Sequence, residues 1–213
     1  MIRLDLRSRT LAACLSAVAG YVDVIGFLMT GGFFVSFMSG NTTRLGIGLA
    51  GVNAAAAVAG GLILAFVAGV VLGASVGRAA RGWKEPAILG LVAVFLILAA
   101  ITHWLGMGLL AALLLALAMG AQNAVFAQDG EVSVGLTYMT GTLVKLGKRL
   151  TVALWGGDRF GWLPYLLLWA GLLAGAVLGA LAYARFGLNA LAFAGVAMLV
   201  LAVLSVKLPI RPR

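Results

Sequence analysis

Cysteine and histidine are all but missing from this sequence, at one residue each in 213. One cysteine, Cys14, excludes an internal disulfide framework and a cysteine-based metal cluster, and one histidine, His103, excludes a multi-histidine metal site. Charged residues make up only 10% of the chain, against about 25% in soluble proteins. Hydrophobic residues make up 63%, more than a globule of this size can hide, so lipid is the solvent that suits the chain. No Walker loop, no Ser-His-Asp grouping, no carboxylate pair within one apolar run and no metal-ligand spacing is present. The expectation is therefore no enzyme, no cofactor, no metal ion and no catalytic residue. The absence of a nucleotide-binding module also argues against a self-contained ATP-driven pump.

What is there is apolar and interrupted. Long hydrophobic runs cover residues 11–29, 52–77, 87–102, 109–127, 161–184 and 188–206, each close to the roughly 20 residues that cross a hydrocarbon core. Stretches 33–51 and 128–160 are weaker and carry Arg44, Lys145, Lys148 and Arg149. The net charge of +9 is not a nucleic-acid footprint, because no soluble face carries it. Sorted over six spans with both ends inside, thirteen of the fifteen Lys and Arg residues fall on the cytoplasmic side, leaving Arg44 and Arg185 outside. An eight-span alternative would put the Arg78–Arg81–Lys84 loop outside, so the positive-inside bias favours six. The basic start, MIRLDLRSRT, has no small-residue cleavage site and is read as a retained cytoplasmic end.

The sequence also repeats itself. SFMSGNTTRLGIGL (residues 36–49) aligns without gaps on TYMTGTLVKLGKRL (residues 137–150). GYVD (residues 20–23) falls opposite GAQN (residues 120–123), and AGVVLGA (residues 68–74) opposite AGAVLGA (residues 174–180). Each half holds three spans, an odd number, so the second half enters the membrane from the other side. The expected fold is a single all-α integral membrane domain, residues 1–213. Its six transmembrane helices form two inverted repeats, 11–106 and 107–206, with broken, re-entrant motif segments. Secondary transporters built this way bind their solutes at the repeat interface.

The motif itself suggests a site. FFVSFM (residues 33–38) and VSVGLTYM (residues 132–139) are rich in β-branched and aromatic residues and read as extended segments. Ser39-Gly40-Asn41-Thr42 and Thr140-Gly141-Thr142 then supply helix-capping residues. Irregular backbone at membrane depth survives only when buried in protein or lining a cavity, and a helix N-terminus facing a cavity favours anions or polar groups. Asp23, the acid inside a predicted span, marks either an ion or proton pathway or a structural partner for the nearby break or for Arg44. Its repeat partner is Asn123, with Gln122 beside it. Arg44 and Lys145, equivalent in the two motifs, either meet Asp23 or an anionic solute, or snorkel to headgroups. The expected solute-binding set is Asp23, Ser39, Gly40, Asn41, Thr42, Arg44, Gln122, Asn123, Thr140, Gly141, Thr142 and Lys145. Gly69, Gly73 and Gly77, and later Gly171, Gly175 and Gly179, form small-residue stripes. They suggest that the second and fifth spans meet each other, or meet a second copy in a homo-oligomer.

Residues 20–50 strongly resemble the signature of the YoaK family of bacterial membrane proteins, the DUF1275 domain. Gly20, Tyr21, Asp23 and Phe27 stand at its Gly-Tyr-x-Asp-x-x-x-Phe stretch, and Phe34, Met38, Ser39, Gly40, Asn41 and Thr42 at the element that follows. The resemblance implies a multi-pass protein of the bacterial cytoplasmic membrane and carries no substrate or reaction. On the residues alone, the expectation is a small-solute transporter, with proton coupling through Asp23 as one form of it. A non-transporting membrane scaffold is the alternative, and a passive channel a third. The partners expected are the lipid bilayer and a small solute, with no nucleic acid.

Overall fold

The computed structural model describes residues 6–128, 131–132 and 135–207. What was expected of the two chain ends, and of residues 133–134 as an extended stretch, falls outside the described residues. The described residues form eight α-helices: α1 Leu6–Met29, α2 Met38–Ala50, α3 Ala55–Ala79, α4 Lys84–Trp104, α5 Gly108–Gln122, α6 Met139–Leu154, α7 Leu163–Phe186 and α8 Leu191–Lys207. The apolar runs fold as helices because Ala, Leu and Met dominate them and because a helix satisfies its own backbone in lipid. Their ends follow the glycines. Gly31 and Gly32 close α1 at φ of +68° and +115°, and Gly187 closes α7 at +59°, a conformation that side chains resist.

Four stretches are long and apolar enough to cross a membrane: Arg7–Met29, Ala55–Ala79, Arg81–Trp104 and Leu163–Val206. The last contains both α7 and α8, joined by a 3-10 turn at Gly187–Ala190. The fourth apolar run ends sooner than its hydropathy suggests. Its helix, α5, stops at Gln122 after 15 residues, and the chain turns through the buried residues Ala124, Val125 and Phe126. Just beyond them Lys84, at the start of α4, donates to the Ala127 carbonyl.

Helix pairing corrects the reading of the glycine stripes. The second and fifth long runs, α3 and α7, do not face each other. Instead α7 packs along α1, and α3 packs along α5. A Cβ on Gly171 would lie 2.8 Å from the Ala13 carbonyl oxygen, and one on Gly179 2.7 Å from that of Tyr21. On the other pair, a Cβ on Gly73 would lie 2.7 Å from the Ala121 carbonyl oxygen. Gly20 answers from α1 against Leu172, and Gly120 from α5 against Phe66. Both stripes are thus occupied within one chain, backbone against backbone except at Gly77, which faces the Ile88 and Lys84 side chains, as small-residue packing in lipid allows. The remaining large contacts are those of α4 with α5 and with α8, and of α2 with α3. Leu15, Ile25, Leu62, Leu96, Leu115 and Met198 are fully buried among these helices. Leu64, Val71, Val177, Leu181 and Val203 point outward.

Candidate functional site

After α1 the chain doubles back. Asp23, six residues before the end of α1, accepts hydrogen bonds from the Val35 amide (2.9 Å) and the Ser36 amide (2.7 Å) through one oxygen. At 1.5 Å of rise per residue, the returning segment therefore meets α1 about 9 Å below its end. Residues 33–37 are irregular rather than stranded, so their amides lack ladder partners, and a carboxylate acceptor supplies what the ladder does not.

The rest of the turn is held the same way, side chain to backbone. Thr30 Oγ1 donates to the Gly26 carbonyl (2.8 Å) and accepts from the Phe33 amide (3.0 Å). Asn41, fully buried on α2, accepts from the Phe34 amide at 3.0 Å and donates to the Phe34 carbonyl at 2.6 Å. Phe34 sits between Phe27, tilted against it with ring centroids 4.8 Å apart, and Phe37, edge-on at 5.1 Å. The Phe37 ring lies on Gly40, where a Cβ would approach its Cδ1 to 2.6 Å. Tyr21 donates to the Ala190 carbonyl at 2.8 Å and ties α1 to the turn before α8. Replacing Asn41 with leucine orphans two part-buried backbone groups, the Phe34 amide and carbonyl, at about 1 kcal/mol each, the low end for an unsatisfied group. The expected result is a lower melting temperature in detergent with helix content unchanged. A melt like that of the parent would remove this role from Asn41.

The second motif repeats the arrangement with different chemistry. Asn123, opposite Asp23 in the sequence alignment, donates to Thr137 Oγ1 at 3.2 Å and accepts from it at 3.3 Å. Thr137 is the counterpart of Ser36. Tyr138 lies over Gly141 as Phe37 lies over Gly40. Thr142 stands where Asn41 does, but its hydroxyl donates to the Tyr138 carbonyl at 3.2 Å in its own helix. Among the described residues, the backbone clamp is therefore made by the first motif alone.

Both motifs open onto one cavity of about 480 Å³, within the usual range for small-molecule sites. Four equivalent pairs line it: Ser36 and Thr137, Phe37 and Tyr138, Met38 and Met139, Ser39 and Thr140. Phe66 and Val70 of α3, with Asn123, Gly135 and Lys145, complete the described wall. Of the twelve residues expected from sequence, Ser39, Asn123, Thr140 and Lys145 reach the cavity. Asp23 stands one layer behind it, through Ser36. Gly40, Asn41, Gly141 and Thr142 shape the two turns behind the wall. Thr42 is exposed and bonds within its own helix, to the Met38 carbonyl at 2.9 Å.

Gln122 is fully buried away from the cavity and donates to the Leu15 carbonyl on α1, at 2.6 Å. Its Oε1 has no partner among the described residues. Arg44 does not meet Asp23. Its guanidinium lies over the Phe33 ring, 5.0 Å from the centroid, and Asp23 is held by backbone groups. Capping is also assigned differently from the sequence expectation. The helices start at Met38 and Met139, with Phe37 and Tyr138 at the cap positions and no side-chain cap on either. Ser39 and Thr140 lie inside the first turns because the aromatic cap residues fold over the following glycines. The lining pairs Ser36/Thr137, Phe37/Tyr138 and Met38/Met139 were missed. The repeat alignment already pairs them, and that equivalence was the signal available. Among the described residues, no three of His, Cys, Asp and Glu come together to hold a metal ion.

The profile of the family described as "Protein of unknown function (DUF1275)" matches residues 11–204. The chain belongs to the DUF1275 family. It is similar to the UPF0700 transmembrane protein RA0705 of Rhizobium meliloti (strain 1021), at 37% identity over 94% of this chain and 87% of that protein. It is also similar to the UPF0700 transmembrane protein YoaK of Bacillus subtilis (strain 168), at 30% identity over 64% of each. No solved structure matches. With the apolar helices described above, these relatives make the chain a multi-pass membrane protein. The DUF1275 signature residues also acquire physical roles. Gly20 admits α7, Tyr21 holds the α7–α8 turn, Asp23 and Asn41 hold the returning segment, and Gly40 seats the Phe37 ring.

Proposed function

We propose that this DUF1275 protein is a small-solute transporter of the bacterial cytoplasmic membrane, with no enzymatic activity, and that the cavity between the two motifs is its solute site. One observation carries the reading: a single cavity takes equivalent wall residues from both motifs, Ser36 to Ser39 and Thr137 to Thr140. A cavity shared by two equivalent units can open to either side as one unit rocks against the other. In this reading the chain has six spans, with both termini cytoplasmic, in two inverted three-span repeats. Reciprocal helix exchange supports that division: the first span of each half packs on the second span of the other, α1 on α7 and α5 on α3. The short α5 completes its crossing through the apolar turn at Ala124, Val125 and Phe126.

The test uses thiol labelling and needs no knowledge of the solute. In a Cys14→Ser background, which removes the exposed native thiol, Ser39→Cys and Thr140→Cys each put one thiol on the cavity wall. An impermeant maleimide is applied to right-side-out and to inverted vesicles. A transporter is expected to expose each thiol to both faces of the membrane. A scaffold leaves both thiols unlabelled, or labelled from one face only, and that result sinks the proposal. A channel labels from both faces and also conducts when the protein is placed in planar bilayers, which would replace transport by a pore.

A further inference from the structure

The charged side chains of the two motifs are not treated alike by the fold. Arg44 and Lys145 are equivalent in sequence, yet Arg44 is folded onto Phe33 while Lys145 reaches the cavity wall. Asp23 turns its carboxylate to the Val35 and Ser36 amides. Among the described residues, the wall therefore carries one cation, Lys145, and no carboxylate. Around it Ser39 and Thr140 are exposed residues that carry hydroxyls, and the aromatic rings of Phe37, Phe66 and Tyr138 supply apolar surface.

We infer that the cavity takes a small organic anion, one carboxylate-type group on an apolar body. The inference rests on reading the cavity as a solute site and names the class of solute. A cationic solute would meet Lys145 with no described acid on the wall to balance it. A neutral solute would cover the exposed Lys145 ammonium and displace its water without offering a counter-charge. An anion resolves both: Lys145 binds its charge, Ser39 and Thr140 donate to its oxygens, and the rings cover its body. The first turns of α2 and α6 lie on the same wall without side-chain caps, and their partial positive charge adds to that of Lys145. A free carboxylate in solution and the headgroup of an acidic lipid share this chemistry.

The test compares hexanoate, hexanamide and hexylamine, three ligands with one body and different charge, for binding to the purified full chain in detergent. Hexanoate is expected to bind roughly tenfold or more tighter than the amide, and the amine weakest, since hydrogen bonds to charged groups are the stronger ones. Lys145→Gln should erase the preference for the carboxylate, Lys145→Arg should keep it, and Arg44→Gln should leave it unchanged. Native mass spectrometry separates the two sources. An acidic phospholipid retained by the parent and lost in Lys145→Gln supports the inference and assigns the headgroup as ligand.

Equal binding of all three ligands, a preference for the amine, or a preference that survives Lys145→Gln overturns the inference. Binding that ignores charge but disappears in Ser39→Trp overturns the anion while the solute site stands. No binding by any ligand, with no acidic lipid retained, also overturns the inference. Loss of the transport reading itself would instead show in the two-sided labelling.

Discussion

Replacing Gly175 with leucine is expected to abolish the folded chain. A Cβ at this position would fall on the Ala17 carbonyl oxygen, and the Ala17 Cα would lie only 2.8 Å away. The obstruction is backbone on a neighbouring helix, so no side-chain rotation relieves it; α1 and α7 would have to separate. Overpacking in a close-packed interior typically costs about 1–3 kcal/mol, and forcing two helix backbones apart removes contacts along their whole length as well. The variant is expected to give no monodisperse peak in size-exclusion chromatography of a fluorescent fusion. Gly175→Ala carries the same Cβ but nothing beyond it, so α1 and α7 need part by less than for leucine, and it should give a peak with a lowered melting temperature. Gly147 makes the control, since a Cβ there meets nothing within 4 Å and Gly147→Leu should elute as the parent does. Elution of Gly175→Leu at the parent position, with an unchanged melt, would mean that α1 and α7 do not pack as described.

Asp23→Leu is the second large effect. Leucine fills similar space but leaves the Val35 and Ser36 amides without their acceptor. Each orphaned buried donor costs about 1–3 kcal/mol, and for a chain of this size the sum lowers the melting temperature on the order of 10 °C. Asp23→Asn keeps a carbonyl oxygen in the same place and is expected to lose much less. The second motif already uses an asparagine against Thr137, so an amide suits this kind of turn. Equal melting temperatures for the leucine and asparagine variants would show that the carboxylate does not hold the returning segment.

Asp23 shows both the reach and the limit of reading the residues. An acid in an apolar run is expensive, so it could be singled out without coordinates, and its place opposite Asn123 was legible from the repeat. What it binds was not legible. A carboxylate that accepts from backbone amides and one that awaits a proton or an ion have the same letter in the same context. The difference lies in where residues 35 and 36 return along α1. Arg44 and Lys145 make the same point. They are equivalent by alignment, and only a ring that happens to be phenylalanine at position 33 takes one of them away from the cavity. The capping positions lie two residues earlier than expected, at Phe37 and Tyr138 rather than Ser39 and Thr140, for a related reason. The ring at 37 or 138 and the missing side chain at 40 or 141 act together, and propensity at one position does not see the other.

By itself the sequence determined the solvent, the apolar runs, the repeated motif and the family. All of these are properties of composition, local hydropathy or self-similarity, which need no partner in space. The tertiary structure decided which helices meet, which members of each equivalent pair face the cavity, and what the glycine stripes touch. In water a helix announces its buried face by an apolar stripe. In lipid both the buried and the outward faces of α3, α7 and α8 are apolar, so the pattern that would name their partners is absent. The pairing is then set by shape alone, where backbones can approach, and shape of that kind exists only once α1 lies against α7 and α5 against α3.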